Sequence, residues 1–254
     1  MQVPVNKLKT ALQSGQIQHG IWLTSGSPVL AEIAGNAGFD WCLIDGEHGP
    51  NTIPEMLPQL QALAISGTQA VVRIASAEVW MVKQVLDLGC QTVLVPMVDD
   101  AATAQEMAHA MRYPPDGNRG MGAVLARAAG FGSIADYAHT ANGQTCLLVQ
   151  AESAKAVENI DAIAITEVVE GVFVGPADLS ADMGYPGQPD HPEVEKAIDH
   201  LIARTVAAGK IAGIITFDDT RFQEYADKGV TFLGVGGDLA ILNGALRGLA
   251  GRVC

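Results

Sequence analysis

Short apolar segments alternate along this chain with longer segments in which apolar residues recur every three or four positions. The short segments have the length of β-strands, and the spacing in the longer ones is that of amphipathic helices. Because the strand segments are almost continuously apolar, we expect a parallel sheet that is buried on both faces. The predicted strands lie at 19–24, 39–45, 69–74, 92–98, 145–152, 171–175, 211–216 and 230–236.

Eight strands that alternate with helices predict a (β/α)8 barrel. An open, doubly wound sheet is the alternative, but the segment IWLTSGSP after the first strand lacks a glycine-rich dinucleotide fingerprint. No low-complexity linker interrupts the 254 residues, so we expect one domain over 1–254. The longest irregular stretch, 112–133, has the length of a functional loop.

Composition narrows the classes of partner. The net charge of −13 disfavours nucleic acid and anionic membranes, and 48% hydrophobic residues allow a large core. No apolar run approaches the roughly 20 residues of a membrane span, and the N-terminal segment lacks a signal-peptide core. The four cysteines lack the spacing of a metal site, so we expect a reduced, cytoplasmic protein that acts on small molecules; they are Cys42, Cys90, Cys146 and Cys254.

Acidic residues follow two neighbouring predicted strands. In a (β/α)8 barrel the active site lies at the carboxyl ends of the strands, where Glu152 and Asp178 would converge. Two oxygen ligands suit a hard divalent cation that keeps positions open for water and substrate. The alternative is that each acid only caps the helix that follows it.

An arginine and a histidine follow two other predicted strands. Arg73 offers a planar, permanently charged fork for a carboxylate or an enolate, unless it forms a structural salt bridge to Asp45 or Glu47. His48, in IDGEHG, is a candidate acid or base, or else a loop histidine bonded to a backbone carbonyl. Both residues therefore belong to the candidate site.

The lysines and one helix start complete the list of candidate groups. No lysine ends a predicted strand, and Lys155, the nearest, falls on a helix, so the sequence disfavours a Schiff-base mechanism. After Gly175 and Pro176, the backbone amides of Ala177 and Asp178 begin a predicted helix and could hold an anion.

Four segments of the chain resemble the HpcH/HpaI aldolase family: LIDGEHGP, RYPPDGNRGMG, LLVQAES and GVFVGPADLSADMGYPGQPDHPEV. The resemblance covers nearly the whole chain. It implies a metal-dependent pyruvate aldolase, similar to 4-hydroxy-2-oxoheptanedioate aldolase and 2-dehydro-3-deoxyglucarate aldolase. It also implies a (β/α)8 barrel that assembles as a homohexamer, with a C-terminal helix exchanged between subunits.

The same resemblance implies roles for individual residues. Glu152 and Asp178 would bind Mg²⁺, Mn²⁺ or Co²⁺, and Arg73 would contact the keto oxygen and stabilise the pyruvate enolate. His48 would act in acid–base chemistry, alone or with a water on the metal. Asp45 would support His48 or the water shell, and Asp87 would orient a histidine of the adjacent subunit. The residues expected to line the substrate pocket are Trp22, Arg73, Gln150, Gly175, Pro176, Ala177, Asp178, Ile215, Thr216 and Phe217.

The expected reaction is the reversible cleavage of a 4-hydroxy-2-oxo acid to pyruvate and an aldehyde, with hydroxypyruvate as an alternative donor. Two other interpretations stay open. One is a citrate-lyase-like thioester lyase, for which Arg119 and Arg127 in the long loop would contact the nucleotide. The other is a barrel that binds keto acids without catalysis.

Overall fold

Eight parallel strands close into a barrel in which each strand pairs with its neighbours in chain order and β1 pairs with β8. This computed structural model describes residues 1–253, and Cys254 lies outside them. The predicted (β/α)8 barrel is therefore confirmed. The strands are β1 (Gln18–Leu23), β2 (Trp41–Asp45), β3 (Gln69–Arg73), β4 (Thr92–Val95), β5 (Cys146–Ala151), β6 (Val169–Val174), β7 (Ile211–Ile215) and β8 (Val230–Gly237).

Helices connect the strands and surround the barrel. Because the connections are right-handed crossovers between parallel strands, the connecting helices pack their apolar sides on the outside of the sheet. The helices are α1 (Lys7–Gln13), α2 (Pro28–Gly35), α3 (Ile53–Ser66), α4 (Val79–Asp87), α5 (Ala101–Ala110), α6 (Tyr137–Thr140), α7 (Ala154–Ala164), α8 (Pro176–Asp182), α9 (Pro192–Ala207), α10 (Phe222–Asp227) and α11 (Asp238–Val253).

Large aromatic rings fill the inside of the barrel. Trp41 stacks on Phe232 with ring centroids 4.0 Å apart, and Trp22 contacts both Trp41 and Phe173. Gly20 makes room for this cluster, since a Cβ at that position would lie 1.9 Å from the Trp41 ring. The interior is thus a packed core, and a ligand site has to lie above it.

Helix α1 covers the amino end of the barrel. Leu8 and Leu12 join the interior aromatic cluster from below. Asn6 caps the helix by accepting from the Lys9 amide and donates to Thr92 Oγ1, 3.0 Å away, at the first residue of β4. The carboxyl end, where the strands point, therefore carries the opening of the barrel.

Three of the cysteines are buried and free, and two of them lie in the strands of the barrel. Cys42 and Cys146 are fully buried on β2 and β5, and burial raises the pKa of both thiols to about 12. Both thiols therefore stay protonated and unreactive near neutral pH. Within residues 1–253, no helix is both long enough and apolar enough to cross a membrane.

Helix α11 differs from the other helices because its one buried residue, Asp238, is an acid and none of its apolar residues is buried. Asp238 anchors the helix start by accepting hydrogen bonds from the amides of Thr24 and Ser25 at 2.9 and 3.2 Å. Beyond this anchor, apolar side chains are between 41% and 75% exposed at spacings of three and four residues, which places them along one helix face; they are Leu239, Leu242, Leu246, Leu249 and Val253.

Candidate active site

Arg73 lies at the tip of β3, directly beside Asp45 at the tip of β2. Its Nε and Nη2 donate to the two carboxylate oxygens of Asp45 at 2.8 and 2.7 Å, which is a two-pronged pairing. Burial acts to lower the pKa of Arg73, but the bonds and charges of Asp45 and the charge of Glu47 outweigh it and raise that pKa. The salt bridge foreseen as the structural alternative is present, and it fixes the fork at the barrel mouth.

Glu47 is a second acidic partner of Arg73, as the salt-bridge alternative predicted, although the sequence indicated no catalytic role for it. Its Oε2 lies 2.8 Å from Arg73 Nη1 and 4.0 Å from His48 Nε2. Burial is the main cause that raises the pKa of Glu47, and the charge of Arg73 opposes it. Its position two residues after Asp45 indicated that Glu47 lies near the carboxyl end of the barrel. The direction of its side chain depends on the conformation of the loop, which the sequence does not indicate.

His48 and Asp178 face each other across the mouth. His48 Nε2 lies 4.0 Å from Asp178 Oδ2, and the two side chains are 62% and 44% exposed. The His48 backbone amide donates to Asp45 Oδ1 at 3.4 Å, so Asp45 contacts the main chain of His48 rather than its ring. The imidazole is therefore accessible from solvent and lies beside carboxylates.

Glu152 is buried just beyond the end of β5, where it is only 1% exposed. Its Oε1 accepts from the backbone amide of Met97 at 2.7 Å, and its Oε2 accepts from the Gln150 side chain. Burial, and secondarily the charges of Glu47 and Asp178, raise the pKa of Glu152 to about 7 even though both hydrogen bonds lower it. A carboxylate in this position is stabilised by any cation that approaches it.

Two backbone features make room for Glu152. Met97 has φ of 52°, a left-handed conformation that costs energy for a residue other than glycine and that points its amide at the carboxylate. Gly175 lies beneath the carboxylate, and a Cβ there would come within 2.2 Å of Glu152 Oε2 and 2.8 Å of Gln150 Nε2. The sequence therefore needs glycine at the start of α8.

The start of α8 places Asp178 and two free amides at the mouth. Gly175 is the N-cap and Pro176 occupies the first helical position, where a missing N–H costs nothing. Asp178 follows in the first turn, where a negative charge is stabilised. The amides of Ala177 and Asp178 belong to the turn whose N–H groups have no partner within a helix.

Four other residues expected to line the pocket come from β1 and from the end of β7, and they form two groups. Trp22 and Ile215 pack on the aromatic cluster inside the barrel, and Trp22 is 5% exposed. Thr216 and Phe217 lie beyond the end of β7, and Phe217 is 68% exposed. The first group forms the floor of the mouth and the second its rim, while their contacts with substrate stay a prediction.

Asp87 lies away from the mouth, at the end of α4, where it accepts from Arg119 Nη2 at 2.7 Å. The Arg119 guanidinium is buried and lies over the Tyr113 ring, 4.3 Å from its centroid. Arg127 donates to the Leu88 carbonyl at 2.6 Å. The two loop arginines are engaged within the chain, which disfavours the nucleotide contacts required of a thioester lyase.

The position of Lys155 does not favour a Schiff-base mechanism at the mouth. Lys155 Nζ is exposed and bonded to Asp100 at 2.9 Å, and that hydrogen bond raises its pKa. A lysine that forms a Schiff base needs the opposite, a desolvated amine with a lowered pKa. Lys210 lies at the amino end of the barrel, where it lines a cavity of about 540 Å³ and donates to the Val169 carbonyl at 2.6 Å.

Comparison with known proteins identifies the family of this chain. The model of the HpcH/HpaI aldolase/citrate lyase family matches residues 18–245. The chain belongs to the HpcH/HpaI aldolase/citrate lyase family. The resemblance found in the sequence motifs is thereby confirmed.

Members of the HpcH/HpaI family with assigned activities are similar over almost the whole chain. A hydroxypyruvate/pyruvate aldolase of Agrobacterium fabrum is 51% identical over 252 residues, which cover 99% of this chain and 95% of the relative. A 2-keto-3-deoxy-L-rhamnonate aldolase of Salmonella gallinarum is 48% identical, with 95% and 90% covered. A Burkholderia cenocepacia family member of known structure has a TM-score of 0.94 at 37% identity, covering 98% and 99%. These relatives support an aldolase activity for this chain.

The donor set at the mouth of this family member fits a hard cation. Within residues 1–253, no three or more His, Cys, Asp or Glu side chains are arranged to hold a metal ion. Glu152 and Asp178 would instead form a two-carboxylate set, which leaves positions for water and substrate. The Oε1 of Gln150 is buried without a hydrogen-bond partner, and the pKa of Glu152 is raised partly by neighbouring carboxylates. A divalent ion bound beside Glu152 would offset the burial and the repulsion that raise the pKa of this carboxyl.

Proposed function

We propose that this chain is a divalent-metal-dependent aldolase that reversibly cleaves 4-hydroxy-2-oxo acids to pyruvate and an aldehyde. The observation that carries the proposal is the buried, clamped Arg73 fork at one strand tip, with the buried Glu152 carboxylate at another. A fixed positive fork suits an oxygen that gains negative charge, as the keto oxygen does when an enolate forms. 4-Hydroxy-2-oxoheptanedioate is a representative substrate.

Glu152 and Asp178 would hold the metal, which we expect to be Mg²⁺, Mn²⁺ or Co²⁺. When bound, the ion supplies Lewis acidity that makes the C3 protons of a 2-oxo acid easier to remove. The buried carboxylate and its acidic neighbours match the preference of these hard ions for oxygen ligands.

The chain's own residues bind the substrate and move its proton. Arg73, held by Asp45, would orient the keto oxygen, and the amides of Ala177 and Asp178 would bind the carboxylate. His48 would exchange a proton with C3, because its imidazole is exposed beside the carboxylates at the mouth. Gln150 would line the pocket.

Hydroxypyruvate is a second donor in this proposal. It differs from pyruvate by one hydroxyl group on C3, at the side of the molecule that faces the open mouth. Four relatives that are between 46% and 51% identical over nearly the whole chain are hydroxypyruvate/pyruvate aldolases. We propose that this chain accepts both donors.

We further propose a homohexamer in which α11 is exchanged between subunits. The exposed apolar face of α11 supports this assembly, because an isolated subunit would leave that face in water. The proposed location is cytoplasmic. The role of Asp87 in orienting a histidine of the adjacent subunit also stays a prediction.

Removal and return of metal tests the proposed function. Chelator-treated protein should release no pyruvate from a 4-hydroxy-2-oxo acid, and added Mg²⁺ or Mn²⁺ should restore release. Glu152→Gln should need roughly a hundredfold more metal, since a neutral amide replaces a charged ligand. Glu158→Gln, the same change at an exposed position of α7, is the matched control. Pyruvate release that is insensitive to chelation would refute the metal site.

A further inference from the structure

Two carboxylates share the guanidinium of Arg73, and they hold it in different ways. Asp45 is almost fully buried and accepts two hydrogen bonds, at 2.8 and 2.7 Å. Glu47 makes one ion-pair contact, between its Oε2 and Arg73 Nη1 at 2.8 Å. Asp45 therefore fixes the orientation of the Arg73 guanidinium, whereas Glu47 contacts it at a single nitrogen.

The contact of Glu47 is not an aligned hydrogen bond. Its Oε2 is shielded from solvent and has no hydrogen-bond partner, although Arg73 Nη1 lies within ion-pair distance. A buried acceptor without a hydrogen bond is a costly arrangement. The ion pair with Arg73 therefore stabilises the Glu47 carboxylate less than an aligned, charge-assisted hydrogen bond would.

Hydrogen bonds and close packing fix the main chain at Glu47, whereas its side chain is held by ion-pair contacts with Arg73 and His48. The Gly46 amide donates to the Arg73 carbonyl at 2.8 Å, and the Glu47 amide donates to Asp45 Oδ1 at 3.1 Å. A Cβ at Gly46 would lie 2.8 Å from the Arg73 carbonyl oxygen, so the loop packs tightly on β3. A rotation of the Glu47 side chain would therefore break its contact with Arg73 without any movement of the loop backbone.

Arg73 has five N–H donors, of which Asp45 takes two. The Nη1 group beside Glu47 belongs to the part of the fork that Asp45 does not occupy. A substrate oxygen that takes the position of Glu47 Oε2 against Nη1 has to displace that carboxylate. The Glu47 charge also repels an anionic substrate, so two effects of one side chain oppose binding.

We propose that Glu47 is a displaceable partner of Arg73, which occupies Nη1 until the oxygen of a 2-oxo acid replaces it. Glu47 is then a positioning residue that sets the affinity for the donor substrate. This inference rests on the proposed function, because it assigns the substrate oxygen to Arg73. When a competing contact limits the binding-competent fraction, the apparent dissociation constant rises by the inverse of that fraction.

Two substitutions separate the contact from the charge. Glu47→Gln removes the charge, and Glu47→Asp keeps it on a side chain that is one methylene group too short to reach Nη1. The experiment measures deuterium exchange at C3 of pyruvate by NMR, with Mg²⁺ present. Glu106→Gln, at an exposed position on α5, is the matched control.

The expected result is a lower KM for pyruvate, by about fivefold, in both Glu47 variants, with a smaller change in kcat. Asp45 still holds the fork in these variants, so the chemistry persists. The control should keep the KM and kcat of the unaltered chain. The separation of KM from kcat is a result that a merely structural role of Glu47 does not produce.

Three results would overturn the inference. An unchanged or higher KM in Glu47→Gln would show that Glu47 does not compete with substrate. A lower KM in Glu47→Gln but not in Glu47→Asp would assign the effect to charge alone. A large loss of kcat at constant KM would place Glu47 in proton transfer. Absence of exchange in the unaltered chain would instead refute the proposed function itself, and this inference with it.

Discussion

At the scale of the residue, the candidate site depends on one arginine whose orientation is fixed by a buried aspartate. Asp45 binds Nε and Nη2 of Arg73, and Glu47 lies against Nη1. The planar fork matters here as much as the charge, because a lysine ammonium cannot reproduce two parallel hydrogen bonds.

Arg73→Lys should therefore reduce kcat for pyruvate release by about a hundredfold, the loss expected when one fixed donor to a developing oxyanion is removed. Steady-state assay of aldol cleavage measures this effect. Arg204→Lys, which affects an exposed pair with Asp161, should keep the original rate. Cleavage at the original rate by Arg73→Lys would remove Arg73 from the proposed mechanism.

Most charged residues at the mouth could be predicted from sequence, because a strand followed by a polar residue indicates the carboxyl end of the barrel. Asp45, Arg73 and Glu152 all meet this rule. The Met97 amide that holds Glu152 could not be predicted, since it depends on a left-handed backbone conformation that the sequence PMV does not indicate. Glu47 was named only as a possible salt-bridge partner of Arg73, because the direction of a loop side chain depends on tertiary contacts.

At the scale of the element, all eight predicted strands are present, and their ends differ by up to three residues. The fourth strand was predicted over 92–98 but ends at Val95. Pro96 cannot donate to a sheet hydrogen bond, and Met97 turns the chain away, so the apolar run continues after the strand has ended. Apolar periodicity therefore predicts that a strand exists better than it predicts where the strand stops.

The packing of the barrel interior requires small residues next to the large aromatic rings. Gly20→Ala should lower the free energy of unfolding by about 1–3 kcal/mol, because its Cβ would overlap the Trp41 ring that is stacked on Phe232. Urea denaturation measures the change. Gly143→Ala, at a position with open space around it, should shift stability by less than about 0.5 kcal/mol. Equal stability of the two variants would show that the ring cluster can rearrange.

At the scale of the whole molecule, α11 is the element that the barrel does not cover. From sequence alone, neither periodicity nor composition indicated that this helix extends away from its own barrel, and the expectation came from the family resemblance. The reason is physical: an amphipathic helix shows the same pattern whether its apolar face packs on its own subunit or on another.

Charges on the apolar face of α11 should dissociate the proposed hexamer. The double variant Leu242→Glu and Leu246→Glu places two carboxylates on that face, and light scattering after gel filtration should show smaller species. Asn243→Glu adds a charge next to that face and serves as the control. A double variant with the size of the unaltered protein would exclude this face from the assembly.

The helix that covers the amino end of the barrel has a consequence for the order of events in the proposed reaction. With α1 below and aromatic rings filling the interior, substrate enters and both products leave through the same mouth. Pyruvate would be bound deepest, next to the buried Glu152, and the aldehyde nearer the rim. The aldehyde must then depart first, so pyruvate should inhibit cleavage competitively and the aldehyde noncompetitively. Product-inhibition kinetics with the opposite pattern would require a second route out of the barrel.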